Sequence, residues 1–119
     1  MSAEHPMILF VGHAIQGAQL LESVEPLNWW IYQSHTANEA LGMYVSYLPD
    51  LILMNADAEP DIAEEVYFHL ASVQAEPIIV ISDDEVWSDR VSHHLPSNAR
   101  VEEIVACVAE VSGALDLTH

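Results

Sequence analysis

Apolar residues along the chain fall into two kinds of segment. Met7 to Val11 (MILFV), Trp30 to Tyr32, Leu51 to Met54 (LILM) and Ile78 to Ile81 (IIVI) are short and continuously apolar. That pattern predicts strands covered on both faces. Between them the apolar residues recur at helical spacing. Ala37, Ala40, Leu41, Tyr44 and Leu48 share one face, as do Ile62, Val66, Leu70 and Val73, and later Val101, Ile104, Val105, Val108 and Leu115. The first intervening segment, Ala14 to Val24, fits more loosely through Ala14, Ala18, Leu21 and Val24.

Start signals agree with these elements. Thr36 and Glu39 form a capping box before the second helix, and Asp61 with Glu64 has a similar form before the third. Pro26, Pro49 and Pro77 each fall between a helix and the following strand, where a missing N–H does no harm. Alternating βα units with short links imply a parallel sheet with helices on both faces and right-handed crossovers. In such a sheet, ligands and chemistry gather at the carboxyl ends of the strands. Those ends are Gly12 and His13, Asn55 to Asp57, and Ser82 to Asp84.

A length of 119 residues with 51% apolar content suits one domain with a real core, with tails expected before about Pro6 and after about Gly113. The single cysteine, Cys107, excludes a disulfide framework and reads as a buried packing thiol. Charge is the most unusual bulk property: 19 acidic residues against two basic ones, Arg90 and Arg100, for a net charge of -17. Such a field repels phosphate backbones and anionic lipid, so neither nucleic acid nor membrane is an expected partner. Solubility or a salty cell interior accounts for it, as does a basic protein partner. No apolar run approaches the roughly 20 residues of a membrane span, and MSAEHP lacks the features of a secretion signal, so a cytoplasmic location is expected.

Four stretches, MILFVGH, ANEALGMYVSYLPDLILMN, EPIIVIS and HHLPSNARVEEIVACV, carry a resemblance. Over roughly Pro6 to Val111 the chain resembles the receiver domain of bacterial response regulators, the CheY-like family. The resemblance implies an α/β, flavodoxin-like, doubly wound five-stranded parallel sheet in the order 2-1-3-4-5. It also implies a set of site residues: an acidic pair after the first strand for Mg²⁺, a phosphate-accepting Asp ending the third, Thr or Ser ending the fourth, and Lys after the fifth. This chain has Gly12 and His13 for the acidic pair, Asn55 for the acceptor and Ser97 for the lysine; only Ser82 fits. An amide cannot form an acyl phosphate, and a Gly-His pair offers no carboxylate to a hard cation. The expectation is a pseudo-receiver, a non-enzymatic signalling module acting by protein contact, with no cofactor and no metal. Its partner would be a histidine kinase, an output domain or a second copy of the chain.

Two alternatives remain open at the level of sequence. Asp57, two residues beyond Asn55, is a candidate displaced acceptor, although the strand register places Asn55 at the strand end. The vacated pocket near His13, Asn55, Asp57 and Ser82 is a candidate small-molecule or metal sensor, with Asp83 and Asp84 close by. The seven histidines show no ligand spacing, and the neighbours His93 and His94 point to opposite faces of a strand.

The run DDEVWSDRVS between Ser82 and His93 is too short for a full fourth helix with two connections. A single turn or irregular loop is expected, with Trp87 folded back over sheet that a longer helix would cover, or else exposed as a partner anchor. One of Trp29 and Trp30 should face the core and the other its opposite side; Tyr32, Tyr44, Tyr47, Tyr67 and Phe68 read as core or helix-flank residues.

Overall fold

Strands that lie between two helical layers have no solvent face, and this accounts for the uninterrupted apolar runs. The computed structural model describes residues 6–72, 77–91 and 93–112. Five strands, β1 (Met7–Val11), β2 (Trp30–Ser34), β3 (Leu51–Asn55), β4 (Ile78–Ile81) and β5 (His93–Leu95), form one sheet in the order β2-β1-β3-β4-β5. Every neighbouring pair is parallel. The helices are α1 (Ala14–Val24), α2 (Ala37–Tyr47), α3 (Pro60–Ala71), α4 (Val86–Arg90) and α5 (Val101–Ser112).

Alternation along the strands divides the core into two layers. Ile8, Phe10, Leu51, Leu53, Ile79 and Ile81 meet Leu20 and Val24 of α1 and Ile104 and Val108 of α5. Leu9, Val11, Ile52, Met54 and Val80 meet Ala37 and Ala40 of α2 and Ala63, Val66 and Leu70 of α3. Each fully buried Leu, Ile, Val, Phe or Met contributes about 1.5–3 kcal/mol relative to exposure, so the sheet centre carries most of the hydrophobic stabilisation. The expected fold class and strand order are those observed.

Several local expectations change. The second strand runs on past Tyr32 to Ser34, with Gln33 and Ser34 paired to Phe10 and Val11 of β1, and the buried Ser34 hydroxyl donates to the Phe10 carbonyl. The buried face of α1 is Gly17, Leu20 and Val24, not Ala14 and Ala18, which are exposed. A Cβ on Gly17 would meet the Gln33 side chain of β2, whose flexible end would have to shift. Leu48 is 73% exposed. It ends α2 in the left-handed region at φ 50° instead of extending its apolar face.

The Thr36 box forms, with Thr36 Oγ1 accepting from the Glu39 N–H at 3.0 Å while Glu39 Oε1 reaches back one residue further, to the His35 N–H at 2.7 Å. Asp61 is not a cap. Pro60 starts α3 and Glu59 precedes it, which leaves Asp61 in the first turn, where a carboxylate complements the helix dipole. Val73 and Leu115, assigned to helix faces by spacing, lie outside the described residues.

The fourth helix is indeed short, and Trp87 is 3% exposed, which removes the exposed-anchor reading. Tyr67 meets the Trp87 ring edge-on at 5.4 Å, and its hydroxyl donates to the Arg90 carbonyl at 3.2 Å. The Arg90 guanidinium lies over the rings of Trp87, Phe68 and Tyr67 at 4.9, 5.0 and 5.6 Å and pairs with Glu64 at 3.1 Å. An aromatic cluster closed by one arginine thus covers the sheet in place of a longer helix.

Trp29 is 6% exposed and Trp30 53%, the expected division. Tyr32 and Tyr44 are half-buried against the α2–α3 layer, whereas Tyr47 is exposed and stacks on Tyr32 at 4.3 Å. Cys107 is half-buried rather than fully buried, and burial first, then the Glu110 charge, pushes its thiol pKa up. Among the described residues, no helix is long and apolar enough to cross a membrane.

Candidate functional site

The carboxyl ends of β1, β3, β4 and β5 bring Gly12, His13, Asn55, Asp57, Ser82 and Ser97 to one end of the sheet. Gly12 follows β1 where no side chain fits. A Cβ there would sit 2.7 Å from Phe10 Cζ, 3.1 Å from Phe10 Cε2 and 3.2 Å from Asn55 Cβ. The Phe10 ring is wholly buried in the close-packed α1–α5 layer and has no free space to retreat into. His13 caps α1, its Nδ1 accepting the Ile15 N–H at 3.4 Å.

Asn55 ends β3, as the register of the run from Pro49 predicts. Both halves of its amide are engaged. Oδ1 accepts the N–H groups of Asp57 at 3.1 Å and Ala58 at 3.0 Å, which shapes the turn into α3. Nδ2 donates to Gln16 Oε1 at 2.7 Å and ties the strand end to α1. The side chain that stands in the acceptor position is therefore a structural tie between two loops.

Ser82, at the end of β4, is 2% exposed. Its hydroxyl accepts the Asp84 N–H at 2.9 Å and donates its one proton to Asp57 Oδ1 at 2.9 Å. The Asp83 N–H reaches the other oxygen, Asp57 Oδ2, at 3.3 Å. Ser97, beyond β5, donates its N–H to Asp83 Oδ1 at 3.0 Å and its hydroxyl to Asp83 Oδ2. The Ser97 hydroxyl first, then its N–H, hold the Asp83 carboxyl below the usual carboxylate range; desolvation opposes them and the His94 charge adds to them. His94 Nε2 lies 2.7 Å from the Ser82 carbonyl, which makes it the donor in that bond.

Sequence reasoning assembled the right loops and missed three of the contacts within them. Gln16 escaped because nothing local marks a glutamine in the first turn of α1 as the partner of a residue at the end of β3. His94, by default a solvated or satisfied histidine, is the satisfied kind, but nothing local marked the β4 end as what it holds; Ser97 stood only as a departure from lysine, when it holds Asp83.

The resemblance to receiver domains implies a divalent cation here, and the residues do not fit one. Position 12 has no room for a carboxylate and His13 is occupied as a cap. Asp57 and Asp83 are held by hydroxyls and backbone amides. Among the described residues, no three His, Cys, Asp or Glu side chains are gathered as cation ligands, so His13, Asp57, Asp83 and Asp84 do not come together as a metal site.

No family model matches the chain, and no curated protein matches it in sequence. Solved structures do match it in shape. It is similar to the Francisella response regulator 1452 receiver domain with a TM-score of 0.79 at 14% identity, over 93% of this chain and 99% of that one. A response regulator receiver protein from Burkholderia phymatum superposes at 0.76 with 20% identity, over 91% and 95%. The pseudo-receiver domain of the CikA protein does so at 0.66 with 16% identity, over 89% and 96%. With the sheet order above, these likenesses give the chain the flavodoxin-like fold of response regulator receiver domains.

Proposed function

We propose that this chain is a receiver-like signal transduction module of a two-component or phosphorelay-type system, acting by protein contact without aspartyl phosphorylation. The observation that carries the reading is the closure of position 12. The buried Phe10 ring and Asn55 fill the space where phosphotransfer would need a metal-binding carboxylate. Phosphoryl transfer depends on neutralising charge on the transferring oxygens, and this site presents Asp57, Asp83 and Asp84 with no lysine anywhere in the chain. Partners in keeping with the fold and the charge of -17 are a histidine kinase, an output domain or a second copy, met through a basic face.

The test is intact-mass spectrometry after incubation with Mg²⁺ and acetyl phosphate, beside a competent receiver and an Asp57→Asn variant. No added phosphoryl group on this protein, where the competent receiver is modified, is the expected result. An adduct present in the wild type and lost in Asp57→Asn would make Asp57 a displaced acceptor and end the reading.

A further inference from the structure

We infer that Asp57 is a positioning residue whose carboxylate serves as a built-in anion, fixing the loops after β3, β4 and β5 in one arrangement. The inference rests on the proposed signalling function and deepens it. Both Asp57 oxygens are taken by the loop after β4: the Ser82 hydroxyl holds Oδ1 at 2.9 Å and the Asp83 N–H holds Oδ2 at 3.3 Å. The direction of the hydroxyl is not free. Ser82 is almost wholly buried and its oxygen already accepts the Asp84 N–H, which leaves its single proton to point at Asp57. Asp57 is itself held in place by its N–H on Asn55 Oδ1 at 3.1 Å.

The same loop passes the constraint on. Asp83, whose N–H is on Asp57, receives the N–H and hydroxyl of Ser97 on its own carboxylate. A continuous chain of charge-assisted bonds therefore joins the three loops with no cation in it. Two donors that converge from one loop on a single carboxylate recognise an oxyanion, and here the chain supplies that anion itself. The loop leading to α4 and β5 is thus held on a carboxylate that belongs to the chain itself.

The test is amide hydrogen exchange by NMR on the wild type, Asp57→Asn and Asp57→Ala. Asparagine keeps the shape, but it has one acceptor oxygen and turns an N–H₂ toward one of the two donors. Exchange at Asp83 and Ser97 is expected to quicken about tenfold or more in both variants, while Leu53 and Val80 in the sheet keep wild-type protection. Wild-type exchange at Asp83 and Ser97 in Asp57→Asn would overturn the inference, since a side chain of the right shape without charge would then suffice. Quickening spread equally to Leu53 and Val80 would also overturn it, by showing a general loss of stability. A phosphoryl adduct that persists in Asp57→Asn would end the proposed function without touching this tie, and one lost in Asp57→Asn would end both; unchanged exchange in the absence of any adduct would end the tie alone.

Discussion

Replacing Gly12 by alanine is expected to destabilise the protein, against the usual direction of such a change. A glycine in a conformation open to other residues commonly gains about 0.4–1 kcal/mol on going to alanine, because the unfolded chain loses freedom. Gly12 does not occupy the left-handed region, so backbone strain is not the obstacle. The obstacle is contact: the new methyl would lie 2.7 Å from Phe10 Cζ and 3.2 Å from Asn55 Cβ, well inside the roughly 3.5–4.0 Å of favourable carbon contacts. Phe10 has 0% exposure, so relief requires repacking among Leu53, Ile81 and Ile104. Overpacking of this kind costs about 1–3 kcal/mol. In a domain of this size that is a melting temperature lower by roughly 4–15 °C.

Urea unfolding followed by Trp fluorescence measures it, with Gly42→Ala as the control. Gly42 lies inside α2 with nothing within 4 Å of its would-be Cβ, so alanine there should stabilise by about 0.5–1 kcal/mol. Phe10→Leu with Gly12→Ala should cost less than the two single changes added together, since the shorter side chain removes the clash. A Gly12→Ala protein as stable as the wild type would refute the argument that this position is closed.

Three further outcomes follow from the packing and the site. Trp87→Ala should lose about 3–5 kcal/mol in urea unfolding, because it empties the cluster that replaces a longer fourth helix; a loss under about 1 kcal/mol would show that α4 is not held this way. Ser97→Ala should raise the Asp83 pKa in an NMR titration, since the Ser97 hydroxyl is the largest cause of its depression. A carboxylate with a lowered folded pKa contributes stability that is present above about pH 4 and lost as pH falls through the folded value, so Ser97→Ala should flatten that acid limb. Cys107, its thiol pKa raised, should react with iodoacetamide more slowly in the native protein than after unfolding; equal rates would contradict its burial.

The sheet was legible because burial on both faces leaves a local mark, the unbroken runs MILFV, LILM and IIVI. The short fourth helix was legible from chain length alone, since ten residues cannot hold a full helix and two connections, whereas the choice between a buried and an exposed Trp87 was settled only by its 3% exposure. Where the reading failed, a neighbour in space overrode a neighbour in sequence. Ala14 and Ala18 have suitable spacing, but the helix turns Gly17, Leu20 and Val24 inward instead. Pro60 displaced the start of α3 from Asp61, and the left-handed cap took Leu48 off the face of α2. At the site, the residue types at each strand end could be read, but their pairings could not. Asn55 with Gln16, Asp57 with Ser82, and Asp83 with Ser97 join residues 39, 25 and 14 positions apart, distances at which local spacing carries no information.

The most direct test of the central claim is intact-mass spectrometry of the Asn55→Asp variant beside the wild type, with Mg²⁺, acetyl phosphate and a competent receiver as control. The substitution puts back an acceptor carboxylate at the end of β3, and the Gln16 amide can turn to donate to it, so the fold should survive. The account predicts no phosphoryl adduct on either protein, because Phe10 still closes position 12 and Ser97 still stands where a lysine would. A phosphoryl adduct on Asn55→Asp would contradict it by showing that the site lacks only its acceptor, and an adduct on the wild type would contradict it outright.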